Sequence, residues 1–273
     1  MAWLGYAALV FTVGAINGIG IGTAHELGHK KEALDRWLSK IALAPSAYGH
    51  FFVEHNRGHH KRVATPEDPA SARMGESFWV FLPRSVWGSL QSAWALEQER
   101  LNKQGMNVWH LQNHNLLAWG LTLVLFGALV VWLGWMALPF LLVQAVYAAS
   151  MLEVVNYVEH YGLLRQKDTA GRYVRCEPEH SWNSNHLVGN LLLYHLQRHS
   201  DHHAHPSRRY QALRHFATAP QLPAGYATMI TVAYLPPLWF SWMDHRVMAH
   251  YGGDLQLVNV QPSAKEKLMQ RWA

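Results

Sequence analysis

Nineteen histidines stand in a chain of 273 residues that carries one cysteine. Nine of them fall in four short clusters: His25 and His29 in H-E-L-G-H, His55, His59 and His60 in H-N-R-G-H-H, His160 behind a glutamate, and His199, His202 and His203 in H-S-D-H-H. Imidazole is the commonest protein ligand for zinc, copper and iron, so clustering of this kind points to a metal site held by nitrogen rather than by thiolate. On a helix, residues three or four apart share a face. His25 and His29 therefore read as a pair able to hold one ion. His55 and His59 read as a second pair, with His60 turned about 100° round the helix toward another ion, and His199, His202 and His203 as a third group pointing one way. A zinc site takes four ligands, and three such groups plus His160 are a surplus for one metal. Two irons sharing them is the natural count.

An acidic residue accompanies every cluster: Glu26 beside His25, Glu54 beside His55, Glu159 beside His160 and Asp201 beside His202. Carboxylates near imidazole ligands fix ring orientation and tautomer through the nitrogen that does not face the metal, and these four are the candidates for that role or for direct ligation. His110 and His114 share the same four-residue spacing, but they and the remaining histidines read as ordinary polar or interfacial residues. His195 and His205, which flank a cluster, are the exceptions to watch.

The elements that position these residues have the composition of a membrane protein. Half the residues are hydrophobic and 13 are tryptophan, yet the mean hydropathy is only −0.09, so the apolar character is concentrated in segments. A helix of about 20 residues crosses the hydrocarbon core, and three runs qualify: 2–24, 116–136 and 139–158. The runs at 41–53 and 78–94 are interrupted by Pro45 and His50 and by Pro83 and Arg84, and neither is expected to span. The stretch 222–243 is split by Pro236 and Pro237 and is predicted to lie at the membrane interface. The opening run lacks the basic n-region and cleavage pattern of a secretory signal.

The expected fold class is all-α, a polytopic membrane helical bundle with a histidine-rich di-iron cap. Span counting brings all four clusters to one side, together with all 23 Lys and Arg, and the positive-inside rule makes that side cytoplasmic. Met1 then lies on the other side, almost directly at a span, an arrangement that predicts missing earlier segments. The lone Cys176 forbids an internal disulfide. The formal charge of +5 fits an anionic lipid surface or an acidic partner. No nucleic-acid-binding signature is present.

The motifs resemble those of the integral-membrane non-haem di-iron alkane hydroxylases, the alkane 1-monooxygenases, within the wider membrane desaturase and hydroxylase superfamily. The likeness runs from about residue 20 to 215. It is carried by H-E-L-G-H-K at 25–30, E-H-N-R-G-H-H at 54–60 running on into V-A-T-P-E-D-P-A, N-Y-V-E-H-Y-G-L at 156–163, and L-Q-R-H-S-D-H-H-A at 196–204. The resemblance implies a two-iron centre ligated by the same nine histidines, O2 as co-substrate, terminal hydroxylation of medium- or long-chain n-alkanes to primary alcohols, and rubredoxin as electron donor. It also implies a bacterial inner membrane location with the irons facing the cytoplasm, and six membrane helices, so that the N-terminal helices are expected to be absent here. Basic residues beside the histidine boxes (Lys30, Lys31, Arg57, Lys61, Arg62, Arg198, Arg208 and Arg209) are candidates for docking the donor. The alternative reading is a membrane di-iron desaturase, or a hydroxylase of another lipid or of an aromatic methyl group.

Overall fold

The structure, a computed structural model, describes residues 3–272; Met1, and Ala2 at the start of the first expected span, lie outside them. Secondary structure among the described residues is helical, with isolated bridges such as Met74–Val260 and no extended strand. Three helices are long and apolar enough to cross a membrane: α1 (Trp3–Gly28), α6 (His114–Leu133) and α7 (Ala137–His160). Between α1 and α6 lie α2 (Ala33–Leu43), a short α3 (Phe51–Val53), a π-helical stretch Glu54–His59, α4 (His60–Arg62) and α5 (Phe78–Asn102). After α7 come α8 (Leu187–Leu192), α9 (His199–Ala204), α10 (Tyr226–Ala233), α11 (Pro236–His250) and α12 (Lys265–Trp272).

Helix ends depart from the hydropathy reading in an instructive way. α1 continues to Gly28, so His25 and Glu26 stay helical where the apolar run stops. Hydropathy marks where the chain leaves oil, whereas backbone hydrogen bonding decides where a helix ends. Pro83 sits inside the 25-residue α5 without ending it. Proline there removes one backbone bond, and the helix is kept by full burial of Phe78 and Phe81 and by the Arg84 guanidinium, which grips Glu76 at 2.7 and 2.8 Å. Pro236 and Pro237 divide the apolar stretch 222–243 into α10 and α11 and occupy the first turn of α11, where a missing N–H costs nothing.

The chain forms two compact units. The first comprises Met1–Gly58 and Gly88–Leu152. Here α1 and α7 pack through glycines four residues apart: a Cβ on Gly14 would meet Tyr147 Cδ1 at 2.8 Å and the Gln144 carbonyl at 2.9 Å, and one on Gly18 would meet Met151 Cβ at 2.8 Å. Small residues at such a crossing let backbones approach where no hydrophobic drive separates lipid from protein. The Asn17 amide donates to Gln144 Oε1 at 2.8 Å, and the Gln144 amide in turn donates to the Pro45 carbonyl at 2.7 Å. Buried Glu97 on α5 accepts from Arg57 and Arg100 and from the backbone N–H of His114, which fixes the start of α6.

The second unit comprises His59–Trp87 and Glu153–Ala273. Its core gathers Phe78, Phe81, Tyr157, Tyr161, Trp239, Met243 and Val247. Two tyrosines satisfy their hydroxyls inside it, Tyr157 donating to the Glu76 carbonyl at 2.7 Å and Tyr161 to Asp244 Oδ1 at 2.9 Å. Gly162 turns the chain out of α7 with a φ of +74°, and a Cβ there would meet Val247 Cγ1 at 2.8 Å. That turn fixes where α7, and therefore His160, ends.

Gly14→Ala should lower the thermal midpoint of the detergent-purified protein, because overpacking of this kind costs about 1–3 kcal/mol. Gly20→Ala, on the same helix with nothing within 4 Å of the added carbon, should hold or raise it, since alanine is the better helix former by about 0.5–1 kcal/mol. Equal midpoints for the two variants would remove the close crossing.

Candidate metal centre

In the second unit the side chains of His59, His160, His199 and His203 converge, all buried, with their donor atoms within 4.8 Å of one another. The facing atoms are Nε2 throughout: His59 to His203 is 3.2 Å, His160 to His199 is 3.2 Å and His199 to His203 is 2.8 Å. An ion about 2.0–2.1 Å from each nitrogen sets neighbouring donors about 3.0 Å apart at right angles and about 3.4 Å apart in a tetrahedron. The donor set therefore fits a metal. His60 and His202 form a further pair in the same unit, their Nε2 atoms 3.1 Å apart. In the first unit His25, His29 and His55 form a trio. His29 Nε2 lies 3.1 Å from His55 Nε2, the His25 and His55 rings are 4.5 Å apart, and Phe51 stacks on His55 at 4.7 Å.

The helical spacing accounts for only part of this grouping. His25 and His29 act together as α1 dictates, and His199 and His203 do so on α9. His55 and His59, four apart, do not pair as expected; each joins a different group. The segment between them is π-helical, in which residues five rather than four apart share a face, so His59 is rotated off the face of His55. His202 likewise leaves His199 and His203 to meet His60.

Burial tunes the donors. His203 is held well below the ordinary imidazole pKa, first by burial and then by the neighbouring rings of His199, His60, His59 and His160, so its lone pair is free for a metal at neutral pH. His59 is oriented from behind: its Nδ1 lies 2.9 Å from Asp68 Oδ2, and Asp68 also accepts from the Ser71 hydroxyl at 2.6 Å. Burial by itself would raise the Asp68 carboxyl, but the His59 ring and the Ser71 hydroxyl outweigh it and hold the group below its ordinary value. Asp68 was not among the residues singled out by sequence. The available signal was its place in T-P-E-D-P directly after the second histidine box; it lay nine residues from its partner, outside the cluster-and-neighbour pattern.

The four expected carboxylates behave differently from one another. Buried Glu159 sits at the group of four, Oε2 3.1 Å from His199 Nε2 and Oε1 accepting from the Tyr226 hydroxyl at 2.7 Å. Asp201 faces Arg208 and Arg214 together with His205 Nδ1 at 3.2 Å, so it braces α9 rather than an imidazole donor. Glu26 is ion-paired with Lys30, and Glu54 is buried at the start of the π-helical stretch. The other histidines lie outside the converging groups: His110 accepts from the Gln112 N–H at 3.2 Å, and His180 accepts from the Glu177 N–H at 2.9 Å, its pKa lowered to about 4 by burial.

The chain matches the fatty acid desaturase family over residues 1–233. It is 52% identical over 264 residues to the alkane 1-monooxygenase of Acinetobacter baylyi, covering 97% of this chain and 65% of that protein. With alkane 1-monooxygenase 1 of Alcanivorax borkumensis it shares 50% over 267 residues, covering 98% and 66%, and with the alkane 1-monooxygenase of Ectopseudomonas oleovorans 48% over 272 residues, covering 100% and 68%. The chain belongs to the fatty acid desaturase family, in its alkane 1-monooxygenase branch. It spans about two thirds of the length of the curated relatives it matches.

Metal retention should separate the residues described above. Loss of an orienting partner costs about 10–100-fold in metal affinity, so Asp68→Asn should weaken retention by that range and His160→Ala by at least as much, whereas His110→Ala should keep the parent content. Metal per chain, measured by plasma mass spectrometry after chelator challenge, reads this out. Parent retention in both Asp68→Asn and His160→Ala would remove the four-histidine site.

Proposed function

We propose that this chain carries the catalytic core of an alkane 1-monooxygenase, which inserts one atom of O2 into the terminal methyl of a medium- or long-chain n-alkane and releases the other as water, consuming two electrons and two protons. The observation that carries the reading is the set of nine imidazole donors on membrane-capable and adjoining helices, in a chain close to half identical to proteins of that name. In this reading the nine histidines of the boxes hold two irons, with His59, His160, His199 and His203 gathered on one of them. Bound irons supply O2 activation and oxidation of an unactivated C–H bond.

The protein's contribution is positional. Burial excludes bulk water and keeps the His203 ring neutral, Asp68 holds the His59 tautomer, and Glu159, tied down by Tyr226, places a carboxyl oxygen beside His199. Glu26, Glu54 and Asp201 complete the acidic set. An alkane has no polar handle, so apolar walls must hold it by shape. Each buried methylene contributes about 0.8 kcal/mol, which makes chain-length selection gradual. A substrate dissolved in the bilayer enters from the lipid side, past helices whose outer faces expose Leu9, Phe11, Ile16 and Ile19. The arrangement is one membrane hydroxylase domain, whose histidine-bearing side, carrying every Lys and Arg of the chain, faces the cytoplasm of the bacterial inner membrane.

Electrons come, in this reading, from rubredoxin, an acidic iron protein. The buried thiol of Cys176, its pKa pushed up to about 12 by burial, is no metal ligand, and one cysteine holds no iron–sulfur cluster. Arg57 is committed to Glu97 and Arg208 to Asp201, whereas Lys61, beside the second histidine box, is exposed and suited to docking.

Octane fed to the reductase-supplied protein should give mainly 1-octanol by gas chromatography; alkenes from acyl substrates would establish a desaturase, and chiefly internal alcohols would show that substrate is not held end-on. Complementary charge speeds encounter and is screened within about 8 Å at physiological salt. Rubredoxin-driven turnover should therefore fall as salt rises, and Lys61→Glu with Arg62→Glu should raise KM for rubredoxin more than for alkane. Indifference to both would move the docking surface elsewhere.

A further inference from the structure

α2 has two faces of opposite character. Leu34, Trp37, Leu38 and Ile41, at the i, i+3, i+4, i+7 positions of one stripe, are 69, 43, 40 and 51% exposed. The opposite side is anchored: the Ser39 hydroxyl donates to the Ala24 carbonyl of α1 at 2.6 Å, and Leu43 is fully buried. Four residues separate α2 from the end of α1, so its start is tethered within about 18 Å of the end of a membrane-capable helix.

Lys40 is on the anchored side, 3% exposed, and its ammonium has only ring faces for company, 4.5 Å from Trp37 and 4.6 Å from Phe52. Arg36 lies over the same Phe52 ring at 5.7 Å. The nearest carboxylate is already committed. Glu97 Oε1 accepts from Arg57 at 2.6 Å and Arg100 at 2.8 Å, and Oε2 accepts from Arg100 and from the His114 N–H, both at 2.7 Å. A carboxylate has about four lone-pair positions, and none is left for Lys40. Burial first and then Arg36 bring the Lys40 pKa down to about 8, against the pull of Glu97; the charge lacks an anion.

We propose that α2 lies in the plane of the membrane surface with its Leu34–Ile41 stripe in the acyl boundary, and that Lys40 and Arg36 hold the phosphate of an anionic phospholipid. An amphipathic helix with a basic side is the form that binds such a surface, and each cation near it contributes attraction to anionic headgroups. The apolar stripe is what selects a lipid over a soluble acidic protein, which would leave Trp37 and Ile41 in water. A lipid phosphate also supplies the acceptors that the Lys40 ammonium lacks.

The full-length chain, purified in neutral detergent, is exchanged with equal amounts of phosphatidylglycerol and phosphatidylcholine, and retained lipid is counted by native mass spectrometry alongside the melting temperature. Phosphatidylglycerol should be retained in excess and should raise the melting temperature, and Lys40→Met should cut that excess about fivefold. Replacing a buried unpaired charge by a hydrophobe of similar volume is neutral or stabilising, so Lys40→Met should melt at or above the parent in detergent alone while losing the phosphatidylglycerol increment. Equal retention of the two lipids by the parent overturns the proposal, as does an undiminished preference in Lys40→Met. Inorganic phosphate giving the same increment at equal phosphorus would make this a small-anion site and not a lipid face, and an increment produced only by a soluble acidic protein would make it a protein docking surface.

Discussion

Four imidazole nitrogens buried within 2.8–3.2 Å of their neighbours impose a demand that ordinary hydrogen bonding does not meet. One proton satisfies one nitrogen pair, not a set of four, and a second proton would bring a second charge into a buried site. The lone pairs need a cation between them. Most of what surrounds the group serves to hold the rings in that posture against their mutual repulsion: the turn at Gly162 that ends α7, the Asp68–Ser71 clasp on His59, the Tyr226–Glu159 contact, and the arginines that clamp Asp201 and with it α9.

Membrane helices are suited to this task because they are stiff and their ends are placed by the bilayer. α1 and α7 each carry apolar surface for about twenty residues and then continue, still helical, into polar sequence. His25 and His160 are presented on those continuations and His29 in the turn directly after α1, so ligand position is inherited from helices that cannot slide without exposing apolar surface to water. The glycines at 14 and 18 set how closely α1 meets α7, and the Asn17–Gln144 amide pair fixes their register where lipid offers no competing hydrogen bonds.

The π-helical stretch at Glu54–His59 is the least economical piece of backbone in the chain and the most consequential. A plain α-helix would put His55 and His59 on one face and give a single ion both rings. Widening the turn spreads the histidines of one short segment over separate groups, which is how six residues contribute to more than one cluster of donors. π-turns are uncommon and concentrate at functional sites, and here the chemical reason is visible in where each ring goes.

The sequence by itself determined the nature of the protein. Nine clustered histidines with one cysteine named the donor type, long apolar runs named three membrane helices, and the motif N-Y-V-E-H-Y-G-L carried the family. These are local properties: residue chemistry, spacing along a helix and length of apolar run are legible wherever the chain finally goes. The tertiary structure decided which histidines meet, that Asp68 rather than Asp201 steadies a donor ring, that α5 runs unbroken through Pro83, and that Arg57 and Arg208 are spent on internal carboxylates. Each of those outcomes depends on partners 7 to 144 residues away or on a change of helical pitch, and neither a side chain's distant partner nor the pitch of one turn is written in local composition.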